Sequence, residues 1–296
     1  MSPFLRALLP WYRQHGRDLP WRKTQDPYQI FMSELMLQQT QVDRVIPLYE
    51  RWLKQFPTWK KLAEAETSAL IHGWAGLGYN RRALFARESA KQVVADRVPK
   101  TEDGWRTLKG VGPYMAAALT EFVNHKRALV IDTNIRRVIG RVFLKLPYPR
   151  PIDDASILKV LEKETPLRGS QHSDMPQALM DLASGICSIR RPKCEICPLR
   201  TPCKARPGFE KGIYDDTKPR KKVTERIRDN KKYPDRIYRG RILAWVRENG
   251  ATDMRHLGAK IDPEFSLNDQ DWVEAMIERM VKDGLLKKDG RKIELG

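Results

Sequence analysis

Every cysteine of this 296-residue chain falls in one short stretch: Cys187, Cys194, Cys197 and Cys203, spaced C-x6-C-x2-C-x5-C. Four soft thiolates this close in sequence let the backbone loop close around one metal centre, either an iron–sulfur cluster or a tetrahedral zinc ion. Paired zinc-ribbon sites usually read C-x2-C twice, and this chain has a single such pair. Disulfides are the remaining reading, disfavoured because the chain carries no secretory signature. The spacing by itself leaves cluster and zinc open. The five histidines are scattered and form no ligand pattern.

The formal net charge of +18 asks for an acidic partner. Nucleic acid is the leading candidate, because neutralising phosphates releases counterions and dominates affinity. A merely solvated basic surface is the alternative. The N-terminal run Phe4-Leu5-Arg6-Ala7-Leu8-Leu9 is short, charged and followed by Pro10, so it reads as neither signal nor membrane span. The expected protein is cytoplasmic, nucleoid-associated if prokaryotic, and monomeric.

Apolar residues recur at three- and four-residue intervals through residues 1–125, as in Leu35, Leu37, Val42, Val45, Ile46 and Leu48, which predicts consecutive helices. Gly16, Pro20, Pro27, Pro57, Gly76, Gly78 and Gly104 are expected to mark connections. Further helices are predicted over 115–123, from about Asp132 to Leu146, and over 173–186. Apolar residues then thin out while Lys218, Arg220, Lys221, Lys222, Arg226, Arg228, Lys231 and Lys232 accumulate, the composition of a basic arm. Helical periodicity returns after residue 236. The end of the chain predicts two strands around Asp289-Gly290. Helices followed by a basic hairpin resemble a winged helix, with a small helical dimerisation domain as the alternative. The expected layout is a domain over 1–205 with a metal loop at 187–203, a basic linker over 206–235, and a winged-helix-like module over 236–296.

Leu108-Lys109-Gly110-Val111-Gly112-Pro113-Tyr114 precedes an apolar helix. Gly110 and Gly112 allow a tight turn and close approach of a ligand, and Pro113 suits the first helical position. The free N–H groups there would suit a DNA phosphate, although Gly-x-Gly alone is more often only a turn. Asp132, ahead of a helix, reads first as an N-cap. Glu34, on a helix among Met32, Leu35, Met36 and Leu37, reads first as a surface glutamate.

With those residues in hand, the chain resembles the helix-hairpin-helix DNA glycosylase superfamily that contains endonuclease III and MutY-type adenine glycosylases. Leu108–Tyr114 resembles its hairpin, Val130–Val138 its catalytic aspartate segment, and the cysteine loop its iron–sulfur loop. Leu19-Pro20-Trp21-Arg22, Ser33–Val42 and Gly76-Leu77-Gly78-Tyr79 are similar to the adenine branch in particular. The likeness covers residues 4–203. It implies a mainly α, helix-hairpin-helix glycosylase fold with one [4Fe-4S] cluster held by the four cysteines, ahead of zinc, and a monovalent cation at the hairpin.

The resemblance also implies roles. Asp132, with Asn134 beside it, would stabilise an oxocarbenium-like sugar by charge or by a transient bond. Glu34 would protonate the purine ring so that the base leaves neutral, helped by a half-buried apolar setting. Each carboxylate would contribute on the order of 10²- to 10⁴-fold in rate. Tyr114 stands where endonuclease III-type enzymes carry the Schiff-base lysine; a phenol cannot take that part, which implies a monofunctional enzyme leaving an abasic site. Gln39 and Tyr79 would enter the DNA stack, Trp21, Arg22 and Gln38 would lie near the extruded base, and Thr40 completes the Gln-Gln-Thr string. Arg190, Arg191 and Lys193, between the first two cysteines, would contact phosphates; solvated charge is the other reading.

The chain departs from the adenine branch at Thr133, where glycine is usual, at Asn80, where a second tyrosine is common, and at Pro176-Gln177, where Asn-Gln is usual. Residues 204–296 lack the Phe-Ser-His loop of the Nudix-like domain that reads 8-oxoguanine. The expected activity is excision of mispaired adenine from double-stranded DNA. The alternatives are a thymine or uracil mismatch glycosylase and a non-catalytic cluster-bearing DNA-binding regulator.

Overall fold

The structure is a computed structural model and describes residues 2–129, 131–164, 171–214, 227–228 and 230–296. In chain order its helices are α1 (Pro3–His15), α2 (Pro27–Leu37), α3 (Val42–Gln55), α4 (Trp59–Ala63), α5 (Thr67–Gly73), α6 (Arg81–Asp96), α7 (Glu102–Arg106), α8 (Pro113–Phe122), α9 (Thr133–Leu144), α10 (Asp154–Glu164), α11 (Gln171–Gly185) and α12 (Arg206–Glu210). There follow α13 (Asp235–Asn249), β1 (Thr252–Asp253), α14 (Gly258–Ile261), α15 (Gln270–Lys282), β2 (Leu286–Asp289) and β3 (Lys292–Leu295). The chain forms two compact units, and both are discontinuous in sequence.

The first unit comprises Met1–Ile30, Pro99–Thr107 and Val111–Arg220. The Ser2 hydroxyl accepts the Leu5 N–H and starts α1, whose Phe4, Leu5, Leu8 and Leu9 form one buried stripe. That stripe shares a core with Ile135, Val138, Ile139 and Val142 of α9 and with Ala178, Leu179, Leu182 and Ala183 of α11. Spacings of three and four put these residues on one helix face. Full burial of each large side chain stabilises by about 1.5–3 kcal/mol. α9 ends where Lys145 turns left-handed, at φ 58°, a common way of closing a helix.

The second unit comprises Phe31–Val98, Leu108–Gly110 and Lys221–Gly296. Its helical half is pinned by fully buried Trp52 and Trp74, packed edge to face with ring centroids 5.2 Å apart. Its C-terminal half runs α13, β1, α14, α15, β2, β3, with an antiparallel sheet in the order β1-β3-β2. This is the predicted sequence of helices and hairpin, and the turn falls beside Asp289 as expected, with Asp289 paired to Lys292. β1 was not foreseen: two residues carry no alternation to read. α5 packs against α13 and β3.

Gly104 is a correction to the expected punctuation, since it lies inside α7. The Thr101 hydroxyl accepts the Gly104 N–H and starts a helix whose first turn is acidic, a cap strong enough to carry a glycine. Of the basic arm, Lys218, Arg220, Lys221, Lys222 and Arg226 lie outside the described residues, as does Val130. Lys231 is no free arm residue: its ammonium donates to Asp262 and Asp269, 2.8 Å from each, with a side chain 2% exposed. Among the described residues no helix is long and apolar enough to cross a membrane.

Candidate active site

In the first unit Asp132 is the N-cap of α9. Its Oδ1 accepts the backbone N–H groups of Asn134 and Ile135 at 2.8 and 2.7 Å, and its Oδ2 accepts the Asn134 side-chain amide at 2.9 Å. The capping and functional readings are therefore compatible, because the same carboxylate that accepts three hydrogen bonds sits at the positive end of the helix dipole. The Asn134 Oδ1 in turn accepts from Arg137, 3.1 Å away. Arg137 also donates to the carbonyls of Cys187 and Ala183, at 2.8 and 3.0 Å. A continuous chain of hydrogen bonds thus runs from Asp132 to the first cysteine. Burial pulls the Arg137 guanidinium below its ordinary value, while the neighbouring Cys187 opposes the shift.

The four cysteines line one small cavity of ≈ 20 Å³ together with Arg141, Leu199 and Phe209. Arg141, 1% exposed, donates to the Cys187 Sγ at 3.3 Å and to the carbonyls of Ser188 and Ile189 at 2.7 and 2.6 Å. Its guanidinium sits 4.4 Å from the centre of the Phe209 ring. Burial and mutual repulsion push the thiols up, Cys194 to about 11 and Cys197 to about 12, with Cys203 raised by burial as well. Four thiols gathered on one cavity can all ionise only against added positive charge, so the donor set fits a thiolate-bound metal centre. As they stand, no three His, Cys, Asp or Glu side chains among the described residues converge tightly enough to hold a single ion. Arg190, Arg191 and Lys193 are exposed on this loop.

Tyr114 lies in the first turn of α8 and packs, half-buried, on the core of the first unit. Its carrier α8 starts at Gly112 and Pro113, and nothing lies within 4 Å of where a Gly112 side chain would begin. Trp21 is buried. Arg22 makes a two-pronged pair with Asp181, at 2.7 and 2.9 Å, and Arg17 adds its backbone N–H and Nε to the same carboxylate. Burial alone would raise the Asp181 pKa, but these arginine hydrogen bonds hold it below the usual range.

In the second unit Glu34 is half-buried in α2 between buried Ser33 and Leu35. Two turns follow it. Gln39 and Tyr79 both take left-handed conformations, at φ 56° and 48°, which non-glycine residues adopt at a cost. Tyr79 is 52% exposed, so it is not a packed turn aromatic. Arg82 ties the two turns together: its guanidinium donates to the carbonyls of Leu35 and Gln38 at 2.8 and 2.7 Å and to those of Leu77 and Gly78 at 3.2 and 3.1 Å. Burial lowers its pKa to about 10, and Tyr79 opposes the shift. The Thr40 hydroxyl donates to the Gln38 carbonyl at 3.3 Å. Gly110 turns at φ 80°, and a side chain there would meet the Phe85 ring at 3.1 Å; this glycine is required.

The family model of the HhH-GPD superfamily of base excision DNA repair proteins matches residues 32–180. The chain belongs to that superfamily. An adenine DNA glycosylase of Mycobacterium tuberculosis is 34% identical over 298 residues, spanning 96% of this chain and 91% of that protein. The human adenine DNA glycosylase is 35% identical over 222 residues, spanning 71% of this chain and 40% of the human one. Among solved structures, a thermostable thymine-DNA glycosylase superposes with a TM-score of 0.63 at 30% identity, over 70% of this chain and 95% of that one. A trapped endonuclease III–DNA intermediate superposes at 0.59 and 16% identity, over 72% of this chain and all of that one, which shows the shared fold.

The residues that sequence reading missed in this HhH-GPD member are the supporting ones: Arg82, Arg137, Arg141 and Asp181. Each is a charged residue in an otherwise apolar helical pattern, at spacings that face the core. That misfit was the available signal, because charges are rarely fully buried unless paired.

Proposed function

We propose that this superfamily member is a monofunctional DNA glycosylase that extrudes and excises mispaired adenine from duplex DNA. The observation that carries the reading is the triply hydrogen-bonded Asp132 at the head of α9, in a chain with a tyrosine rather than a lysine at position 114. Glu34 donates a proton to the purine ring, the C1′–N bond breaks and the base departs neutral. The Asp132 anion, held in place by Asn134, stabilises the positive sugar until water adds at C1′, gives up a proton to solvent and yields an abasic site. Tyr114 offers no amine, so no Schiff base forms and the strand stays intact. Gln39 and Tyr79 fill the space that the extruded base leaves, Trp21, Arg22 and Gln38 lie near the extruded base, and the Gly110–Gly112 hairpin takes a phosphate with a monovalent cation. Thr40 serves the same string by bonding the Gln38 carbonyl. Arg190, Arg191 and Lys193 add phosphate contacts.

Cys187, Cys194, Cys197 and Cys203 would hold one [4Fe-4S] cluster. When bound, it supplies the positive charge that the four thiolates need and fixes the loop that presents those cations. Adenine DNA glycosylases at 34% identity over nearly the whole chain support the adenine-excision reading. The likeness to a thymine-DNA glycosylase, 30% identical over 70% of this chain, favours a second one: release of thymine from a guanine mispair.

The test is single-turnover base release from duplexes pairing adenine with 8-oxoguanine, guanine or cytosine, and thymine or uracil with guanine, with and without alkali. Adenine release with breaks only after alkali is the expected result. Release of thymine alone would transfer the chain to the second reading, and binding without any release would leave a DNA-binding regulator.

A further inference from the structure

The start of α6, two residues beyond Tyr79, breaks the local rule for a helix N-terminus. Asn80 caps it without a side-chain hydrogen bond, its first turn holds no acidic residue, and it opens with Arg81 and Arg82. Two cations at the positive end of a helix dipole are unfavourable. Arg82 is occupied by the carbonyls of the two turns. Arg81 lies over the Phe85 ring at 5.3 Å, which leaves its charge to be matched by a more distant segment.

The end of α15 breaks the opposite rule. Asp283 is its C-cap and donates its backbone N–H to the carbonyls of Arg279 and Val281, yet a carboxylate is disfavoured at the negative end of a helix. Each misplaced charge suits the other helix. The Asp283 carboxylate pairs with Arg81 at 3.4 Å, its side chain only 21% exposed. Gly284, next in the chain, turns left-handed at φ 73°, and a Leu84 methyl lies 3.7 Å from where a side chain would begin there. Leu84 and Leu285 are both buried, so apolar packing backs the ion pair. The Tyr79 carbonyl accepts the Arg82 N–H at 2.9 Å, and the Tyr79 backbone is therefore tied to the first turn of α6.

We propose that Asp283 is a positioning residue for Tyr79, a role that rests on the reading of Tyr79 given under Proposed function. The C-terminal half of the unit fixes the first turn of α6, and through it the direction in which the exposed ring is presented to DNA. That half then serves base extrusion without itself touching the duplex.

The experiment compares the affinity of the full chain for two fluorescent duplexes, one matched and one with an adenine–guanine mispair. The mispaired adenosine carries a 2′-fluoro group to prevent its release. The variants are D283N, D283E and D271N, the last an exposed carboxylate in the first turn of α15, and thermal melting confirms that each is folded. Removing a carboxylate favours binding to polyanionic DNA in general, so D271N should tighten both duplexes alike and leave their ratio unchanged. D283N should instead lower the preference for the mispair by about two- to five-fold, the range of one partly exposed ion pair. D283E should restore it. In a Y79A background D283N should change the preference no further. An unchanged preference in folded D283N overturns the role of Asp283, and so does a loss that persists undiminished in Y79A. A Y79A variant that keeps the full preference would overturn the reading of Tyr79 itself. R81Q, read by the same ratio, serves if D283N fails to fold.

Discussion

The Asp132 carboxylate caps α9 and, in the proposed reaction, carries the charge that the chemistry needs, and substitution can separate the two. Asp132→Asn keeps a good cap, so stability should change by less than about 1 kcal/mol in urea unfolding. Single-turnover base release should nevertheless fall on the order of 10²- to 10⁴-fold. Asp132→Ala should lose the cap as well, adding about 1 kcal/mol of destabilisation. Arg82 poses a different question, because its single guanidinium serves carbonyls from both turns. Arg82→Lys keeps the charge but not the planar fork, leaving buried acceptors unmet at about 1–3 kcal/mol each. We expect a loss on the order of 3 kcal/mol in urea unfolding, together with weaker binding to mispaired duplex. Wild-type stability in that variant would remove Arg82 as the tie between the turns.

Helix α8 and the segment leading to Asp132 are joined by Glu121, which is 2% exposed and accepts the Ala128 N–H at 2.7 Å. Burial raises its pKa to about 7, against the opposing effects of that hydrogen bond and of Arg127. The folded protein then binds more protons than the unfolded chain between the ordinary carboxyl value and about 7, so stability falls as pH rises through that window. Glu121→Gln retains the acceptor and removes the titration. The stability difference between variant and wild type should therefore grow from about pH 5 to pH 7 and level off above, as measured by urea unfolding at fixed salt. A difference independent of pH would show that Glu121 does not titrate there. Within the C-terminal half, Lys231 is buried between Asp262 and Asp269, and it anchors the end of the basic arm. Lys231→Met strands two carboxylates and should destabilise by about 3–5 kcal/mol. Limited proteolysis should then open the segment near α13 before the rest of the chain.

Across the molecule, the cysteine loop and the Asp132 helix are one hydrogen-bonded assembly through Arg137 and Arg141. Protein purified anaerobically should be brown and contain iron and sulfide in equal amounts. Stripping the iron by oxidation and chelation should bleach it, lower its melting temperature and weaken DNA binding. Colourless protein with one zinc per chain would instead establish the zinc alternative, since zinc is spectroscopically silent. Both units are discontinuous in sequence, so this loss should not be confined to residues near the loop.

Helices, caps and the terminal hairpin were legible in the sequence because they rest on local rules. Examples are the 3.6-residue stripe of α9, Asp132 ahead of it, and the Asp289-Gly290 turn. The cysteine spacing and the tight Gly110 turn were legible for the same reason, and the family resemblance singled out Glu34, Asp132 and Tyr114. What could not be read was which distant groups meet. Arg22 with Asp181, Arg141 with the Cys187 Sγ, and Arg82 with two turns at once all join residues far apart in sequence. Such pairs form because a buried charge must find acceptors wherever the packed chain brings them. The pairing of Asp283 with Arg81 is likewise a product of packing: its partners come from the C-terminal and helical halves of the second unit. Local propensity chose the helices of this chain, and the need to satisfy buried charges in the folded core chose their partners.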